Sequence, residues 1–156
     1  MLENLKFKEL KKLYLSFNEI SNIKLLKKIT YEKLELLSLS SNKISDINFL
    51  ENMNFKELKL LDLSYNNISD IKVLEKVKIE KLEILNLGWN KISNINILEN
   101  ANFKELKELD LSYCEIKDIS FLEKVKFEKL EILKLGSNKI SNINILENAN
   151  FKELKE

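Results

Sequence analysis

Two carboxylates could share acid–base chemistry. Asp62 and Asp110 lie at the same position of a regular repeat, with Asn86 midway between them, and parallel strands would hold them roughly 10 Å apart. That distance is close to the carboxyl separation of inverting glycosidases. The surrounding positions predict no deep or dry pocket, and the chain contains no His, which is the commonest general base. We therefore expect no catalysis at this pair.

The other candidate for chemistry is the thiol of Cys114, the only cysteine. A single cysteine forms neither an internal disulfide nor a zinc cluster. Two interpretations are open: a reactive thiol, or a structural residue that replaces an asparagine of the repeat, which we favour. The sequence also shows no Gly-rich phosphate loop. It predicts a protein that is not an enzyme and binds no cofactor or metal.

The charge balance argues against several classes of partner. Lys+Arg number 26 and Asp+Glu 25, which gives a net charge of +1, and every cation is a lysine. Nucleic-acid affinity requires a cationic surface, and bidentate phosphate recognition prefers arginine. No apolar run approaches the roughly 20 residues of a membrane span, and residues 1–6 do not begin a signal peptide. We expect no nucleic acid and no membrane as partner; the compartment is unknown, with the cytoplasm favoured.

Leucine recurs with a fixed period along the chain. The positions lie 24 residues apart, at Leu10, Leu34, Leu58, Leu82, Leu106, Leu130 and Leu154. Each full copy reads Leu-x-x-Leu-x-Leu-x-x-Asn-x-Ile, except that Cys114 replaces the asparagine of the fifth. Such self-similarity is typical of a solenoid, in which each unit buries its apolar face against its neighbours.

The motif resembles that of the leucine-rich-repeat family, and its continuation through Ile20, Ile23 and Leu26 is similar to the repeats of bacterial internalins and of the regulatory subunit of protein phosphatase 1. The resemblance implies an α/β solenoid with a curved parallel β-sheet on the concave face and short helices or 3₁₀ turns on the convex face. It implies a single domain, residues 1–156, with six full repeats starting at residues 10, 34, 58, 82, 106 and 130 and partial repeats at both ends. An internalin-like protein would also fit a bacterial surface.

Local periods assign the elements of one repeat. Leu13 and Leu15 alternate with period two, which predicts a short strand with both leucines inward. Leu25 and Ile29 are four residues apart and predict one face of a short helix or 3₁₀ turn. The N-cap candidates are Ser21-Asn22, Ser45-Asp46 and Ser69-Asp70. In the family the asparagine of the motif is buried, and its amide satisfies backbone groups of its own and the adjacent turn.

Side chains that flank the inward leucines form columns on the predicted concave face. The predicted partner-binding residues are Tyr14, Phe17, Leu36, Leu60, Asp62, Tyr65, Ile84, Trp89, Asp110 and Tyr113. They include a column of adjacent aliphatic side chains, which we expect to be exposed, and a column of adjacent aromatic ones. Apolar patches rimmed with charge mark interaction surfaces, and Tyr and Trp are frequent hot spots. We predict that another protein binds this face.

The same columns are compatible with two alternatives. An aromatic ladder could hold a carbohydrate by stacking against its rings. Alternatively, the side chains lie flat over the core leucines and were copied by repeat duplication without selection for binding.

The charges follow a longer period of 48 residues. One column reads Lys11, Glu35, Lys59, Glu83, Lys107, Glu131 and Lys155, and the two residues before each leucine of the 24-residue period alternate between Lys-Glu and Glu-Lys. Each charge should therefore face an opposite charge on the neighbouring repeat, where a uniform column would set like charges roughly 5 Å apart. Duplication of a 48-residue segment would produce the same pattern.

The ends of the chain are in similar phase and show no recognisable capping repeat, although a solenoid end exposes core and an unpaired strand edge. Three arrangements would fit such ends: head-to-tail self-association of copies, a fragment of a longer array, or short caps built by Met1–Leu5 and the final Lys-Glu.

Overall fold

The structure, a computed structural model, describes residues 7–23, 26, 31–149 and 151–156. The helix face of Leu25 and Ile29 and the cap at Met1–Leu5 lie outside the described residues. Within them, six short strands form one sheet: β1 (Lys12–Tyr14), β2 (Leu36–Ser38), β3 (Leu60–Asp62), β4 (Ile84–Asn86), β5 (Glu108–Asp110) and β6 (Ile132–Lys134).

Every strand pairs in parallel with the next strand along the chain. The register sets each residue opposite its equivalent in the following repeat, as Lys12 lies opposite Leu36. Backbone hydrogen bonds continue the ladder past the strands; the N–H of Ser41, for example, donates to the carbonyl of Ser64 at 3.0 Å. This open, curved sheet confirms the predicted solenoid and its 24-residue unit.

The convex elements of the described chain are 3₁₀ helices, one of the two forms that the sequence left open. They span Asn48–Asn52, Lys72–Glu75, Asn96–Asn100, Ser120–Glu123 and Asn144–Glu147. An Asx turn precedes each: the Asp46 carboxylate accepts the N–H of Asn48 at 2.8 Å, and Asp70 accepts that of Lys72 at 2.9 Å. In these two capping pairs the aspartate, rather than the serine, makes the bond. Among the described residues, no helix has the length and apolar character needed to cross a membrane.

A single continuous core lies between the sheet and the 3₁₀ helices. Leu61, Leu63 and Ile68 of one repeat are fully buried in it. The ring centroids of Phe103 and Phe127, in adjacent repeats, are 6.3 Å apart. Because the apolar side chains of each repeat pack against those before and after it, a single repeat has no core of its own.

Ion pairs join neighbouring repeats along the charged columns. In one column they are Glu9–Lys33 at 2.7 Å, Glu57–Lys81 at 2.6 Å and Glu105–Lys129 at 2.5 Å. In another they include Glu83–Lys107 at 2.7 Å and Glu131–Lys155 at 2.6 Å. These bridges recur every second repeat and confirm the alternation of charge. Since they are exposed and screened by salt, they favour the correct register more than they stabilise the fold.

Tyr31 differs from the phenylalanines in its column. Its side chain is only 4% exposed, and among the described residues its hydroxyl has no hydrogen-bond partner. The equivalent positions hold Phe55, Phe103 and Phe127, which bury no polar atom. Burial raises the pKa of Tyr31 to about 12, because the phenolate would lose its hydration. The hydroxyl is therefore a local defect in stability.

We expect Tyr31→Phe to raise the free energy of unfolding by about 1–3 kcal/mol, the usual cost of a buried polar group without a partner. The effect of pH has a definite sign. The contribution of Tyr31 to the free energy of unfolding is constant below pH 10 and falls as the pH rises from there to about 12, because the tyrosine of the unfolded chain ionises first. The variant lacks this loss.

Urea unfolding at about pH 7 and about pH 11 measures both effects, with the difference between variant and wild type removing the titration of lysines. Tyr14→Phe, at an exposed tyrosine, is the matched control. Equal stability of Tyr31→Phe and wild type at neutral pH would contradict the prediction.

Candidate functional site

The turn after each strand is built around the asparagine of the motif. The side-chain amide of Asn42 donates to the carbonyls of Leu15, Leu39 and Ser40 at 2.8, 3.0 and 3.1 Å, and its oxygen accepts the N–H of Ile20 at 2.9 Å. Leu15 and Ile20 belong to the preceding repeat, so one side chain joins two turns. The same bonding pattern recurs at Asn66, Asn90 and Asn138. This confirms the role that the family resemblance implied.

Cys114 occupies the asparagine position in the fifth repeat and is buried. Its thiol approaches the carbonyls of Leu87 and Ser112 at 3.5 and 3.7 Å, two of the groups that an asparagine would reach. Burial raises the pKa of the Cys114 thiol, against the opposing effect of the N–H groups of Asn90 and Ile92. Because a raised pKa disfavours the reactive thiolate, these contacts support the structural interpretation.

The residue before this position, which is Asn in five repeats and Cys114 in the fifth, has a left-handed backbone in all six. The φ values lie between 52° and 58° at Phe17, Ser41, Tyr65, Trp89, Tyr113 and Ser137. This conformation costs an L-residue roughly 1–2 kcal/mol and is usually taken by Gly. Nothing in the sequence indicates it, since no glycine marks the position. The same backbone precedes Cys114, so the conformation belongs to the turn of the repeat and does not require the asparagine.

Three of these residues form an aromatic stack (Tyr65, Trp89 and Tyr113) along the edge where the strands end. The ring centroids of Tyr65 and Trp89 are 4.8 Å apart, and those of Trp89 and Tyr113 are 3.8 Å apart, with 12° between the planes in both pairs. The three side chains remain 43–50% exposed. Both faces of Trp89 are covered by tyrosines, so its own faces are not open to a stacking sugar.

The stack does not extend to Tyr14 and Phe17, the remaining predicted aromatic residues. Phe17 is 85% exposed and Tyr14 is 62% exposed, and Ser41 separates the Phe17 position from Tyr65 along the column. The structure therefore brings together the three central aromatics and leaves Tyr14 and Phe17 apart from them.

The aliphatic column lies at the first residues of the strands, whereas the aromatic stack lies beyond their last residues. Leu36, Leu60 and Ile84 are adjacent in the register of β2, β3 and β4. They line a shallow groove of about 230 Å³ whose rim carries Lys12, Glu35, Lys59 and Glu83. The expectation that these side chains are exposed was wrong: they are half-buried, because neighbouring side chains and the charged rim cover their flanks.

Asp62 and Asp110 are integrated into the turns that follow their strands. Asp62 accepts hydrogen bonds from the N–H and hydroxyl of Ser64 at 3.1 and 2.7 Å, and Asp110 accepts the N–H of Ser112 at 2.8 Å. Asn86 lies between them in the register. These bonds give both carboxylates a structural role. The described residues include no group of three or more Cys, Asp or Glu that could hold a metal ion.

Gly88 allows the Asp110 carboxylate to approach the turn that carries Trp89. A Cβ at Gly88 would lie 3.2 Å from an Asp110 carboxylate oxygen and 3.2 Å from the Ser112 carbonyl oxygen. At Gly136, the equivalent position two repeats later, the nearest atom would be 3.9 Å away. The close contact at Gly88 thus reflects the packing beneath the aromatic stack.

We expect Gly88→Ala to lower the free energy of unfolding by about 1 kcal/mol, because the backbone carbonyl cannot move away freely and crowding a packed site is costly. Gly136→Ala is the matched control and should be neutral or stabilising, since it restricts only the unfolded chain. Chemical denaturation of both variants provides the measurement. A Gly88→Ala protein as stable as Gly136→Ala would show that the carboxylate is not held close to the turn.

Models of known families match most of the chain. A model described as leucine-rich repeats in two copies matches residues 8–53 and 104–148. A model of a single leucine-rich repeat matches residues 52–71 and 78–95. No curated protein matches the chain significantly.

Solved structures of bacterial and plant proteins share the fold of this chain. A leucine-rich-repeat protein of Leptospira interrogans is 30% identical with a TM-score of 0.74, covering 96% of this chain and 38% of that one. Internalin C2 of Listeria monocytogenes is 26% identical with a TM-score of 0.69, covering 92% and 69%. The leucine-rich-repeat ectodomain of the receptor kinase GASSHO1 from Arabidopsis thaliana, in complex with Casparian strip integrity factor 2, is 25% identical with a TM-score of 0.68, covering 91% and 17%.

The chain thus spans about two thirds of the internalin structure and much less of the Leptospira and Arabidopsis proteins. The family models together with the six-stranded parallel sheet lead to one conclusion: the chain belongs to the leucine-rich-repeat family.

Proposed function

We propose that this protein binds another protein on its concave face and is not a catalyst. The contact surface consists of the aromatic stack and the aliphatic groove of Leu36, Leu60 and Ile84. The observation that carries the proposal is the stack itself. Three large aromatic side chains in consecutive repeats occupy strained left-handed positions and remain about half exposed.

The energetics of the stack favour a function beyond folding. The left-handed conformation disfavours a bulky side chain at each position, and half of each ring surface is still in water. Serine occupies the same position in two repeats with the same backbone, at Ser41 and Ser137, so the turn itself does not require a ring. Preformed rings that lose little entropy on contact are well suited to binding.

The relatives agree with this interpretation. The Arabidopsis ectodomain was solved with Casparian strip integrity factor 2, and another similar structure is a plant peptide hormone receptor, RGFR1, in complex with RGF2. For this chain, a polypeptide partner is the inference that we draw from them. The absence of His from the sequence and the structural roles of Asp62 and Asp110 support a non-catalytic function.

The proposal predicts that Trp89→Ala weakens partner binding by about 2 kcal/mol or more, as for a central aromatic hot spot. Some folding stability is lost too, about 1–3 kcal/mol, since the residue stacks on both tyrosines. Phe17→Ala is the matched control, because Phe17 has the same backbone but lies outside the stack.

The partner is first captured from an extract of source cells on the immobilised wild-type protein and identified. Isothermal titration of the purified pair then gives the affinity of each variant, at a temperature where circular dichroism shows that both are folded. An affinity of Trp89→Ala equal to that of Phe17→Ala would contradict binding through the stack.

Head-to-tail self-association is a second candidate function, and exposed apolar side chains in the last described repeat favour it. Ile143 is 64% exposed and Leu146 is 44% exposed, whereas their equivalents Ile119 and Leu122 are at most 2% exposed. A further repeat unit, from a second copy or a longer chain, would cover them. Light scattering should then show a mass that rises with concentration; a constant monomer would contradict self-association of this chain.

A further inference from the structure

The aromatic stack ends at Ser41 in a way that leaves one ring face uncovered. Ser41 and Tyr65 have nearly the same φ, 53° and 52°, so the backbone presents both side chains in the same manner. Trp89 covers one face of Tyr65 at 4.8 Å. The second face is turned toward Ser41, whose side chain is too short to cover a ring. The stack therefore has room for one more planar group, at the spacing of one repeat.

A carboxylate reaches into the same gap between repeats. One oxygen of Asp62 is held by Ser64, in the turn directly before Tyr65. The second oxygen accepts the hydroxyl of Ser38, on the preceding strand, at 3.3 Å. Asp62 forms no ion pair with any described lysine within 4.0 Å. Its negative charge is thus not neutralised by a described lysine, and it lies at the end of the strand that leads to Tyr65, three residues away.

The opposite end of the stack has different electrostatics. The outer face of Tyr113 is turned toward Ser137, in the repeat that carries Lys134, whose ammonium pairs with Glu108 at 2.6 Å. The Asp110 carboxylate lies near Gly88 of the preceding repeat, on the side away from Ser137. A cation would therefore meet an unpaired carboxylate at the Tyr65 end and a lysine at the Tyr113 end.

An apolar surface lies on the same strands as Ser38 and Asp62. Leu36 and Leu60 lie two residues before Ser38 and Asp62 on β2 and β3, and so face the same side of the sheet. They line the shallow aliphatic groove. A peptide that reaches from Tyr65 along β3 would thus meet an aliphatic contact at Leu60, five residues earlier in the chain.

We propose that the Tyr65 notch (Ser38, Ser41, Asp62 and Tyr65) binds an arginine of the partner, next to an aliphatic residue that enters the groove. The guanidinium is planar, stacks on aromatic faces and donates in a fork that matches a carboxylate. It would continue the stack in place of a ring at Ser41 and donate to Asp62. Lysine carries the same charge, but its ammonium group is not planar and does not stack on a ring as a guanidinium does. The inference rests on the proposed function and specifies its partner chemistry.

The test uses the full chain, labelled with ¹⁵N, and a capped probe peptide, acetyl-Ala-Leu-Arg-Leu-Ala-amide. We expect amide shifts centred on Ser41, Asp62 and Tyr65 at millimolar peptide. The same peptide with citrulline, a neutral and nearly isosteric residue, should bind about tenfold more weakly, as expected when a charge-assisted contact is lost. Asp62→Asn should weaken the arginine peptide by a similar factor and narrow the difference between the two peptides.

A steric variant makes the test independent of charge. Ser41→Tyr fills the vacant position with a side chain that the same backbone already carries at Tyr65, so we expect a folded protein that no longer binds the probe. Ser137→Tyr is the matched control: it extends the Tyr113 end of the stack and should leave binding unchanged.

The inference is overturned if the arginine peptide produces no shifts, if citrulline binds equally well, or if Ser41→Tyr and Ser137→Tyr behave alike. These failures are separate from failure of the proposed function. Partner binding that depends on Trp89 but not on Ser41→Tyr would retain the concave interface and reject the arginine. Probe binding at Tyr65 with no effect of Trp89→Ala on the partner would retain the arginine site and reject partner binding through the stack.

Discussion

The structure depends on the side-chain amide of the motif asparagine, which is buried at Asn42, Asn66 and Asn90 and is replaced by Cys114 in the fifth repeat. Asn66 shows the constraint: it donates to the carbonyl of Leu39 in the preceding repeat and to Leu63 and Ser64 in its own, and it accepts the N–H of Ile44. The carbonyls of Leu39 and Ser64 accept other donors as well, the amide of Asn42 and the N–H of Ser41. The buried N–H of Ile44 bonds to Asn66, and a buried N–H left without a partner costs about 1–3 kcal/mol. The amide therefore fixes the path of the chain between strand and convex side and sets the repeats in register.

The candidate binding surface follows from that constraint. The asparagine closes the turn after Tyr65 and Trp89, and Cys114 takes its place after Tyr113. In all three turns the residue before this position is left-handed, and the three rings are presented side by side. The ladder places successive repeats about 4.8 Å apart, which is close to the spacing at which rings stack. A fold that repeats at this distance therefore assembles an aromatic surface without any loop insertion, and the length of the stack is set by which repeats carry rings.

Features that recur in every repeat could be predicted from the sequence, whereas features that depend on a single contact between neighbouring repeats could not. The period of Leu10 and its equivalents predicted the sheet and its register, and the alternation of Lys and Glu predicted the ion pairs. The left-handed φ at Trp89 could not be predicted from the residue type, because hydrogen bonds of the turn impose it on residues that do not favour it. Three other features depend on how side chains of neighbouring repeats pack, which the repeat pattern alone does not show. They are the partial burial of Leu36, the stacking on both faces of Trp89 and the unpartnered hydroxyl of Tyr31.

The fluorescence of Trp89, the only tryptophan in the chain, tests most directly whether the aromatic stack is a contact surface. The measurement is acrylamide quenching of its emission, with and without a saturating amount of the captured partner. We expect a blue shift of the emission and a clear drop in the quenching constant, because the partner removes water and quencher from the exposed edge of the ring. Unchanged emission and quenching, in a sample where calorimetry shows the complex to be formed, would contradict a contact at the stack.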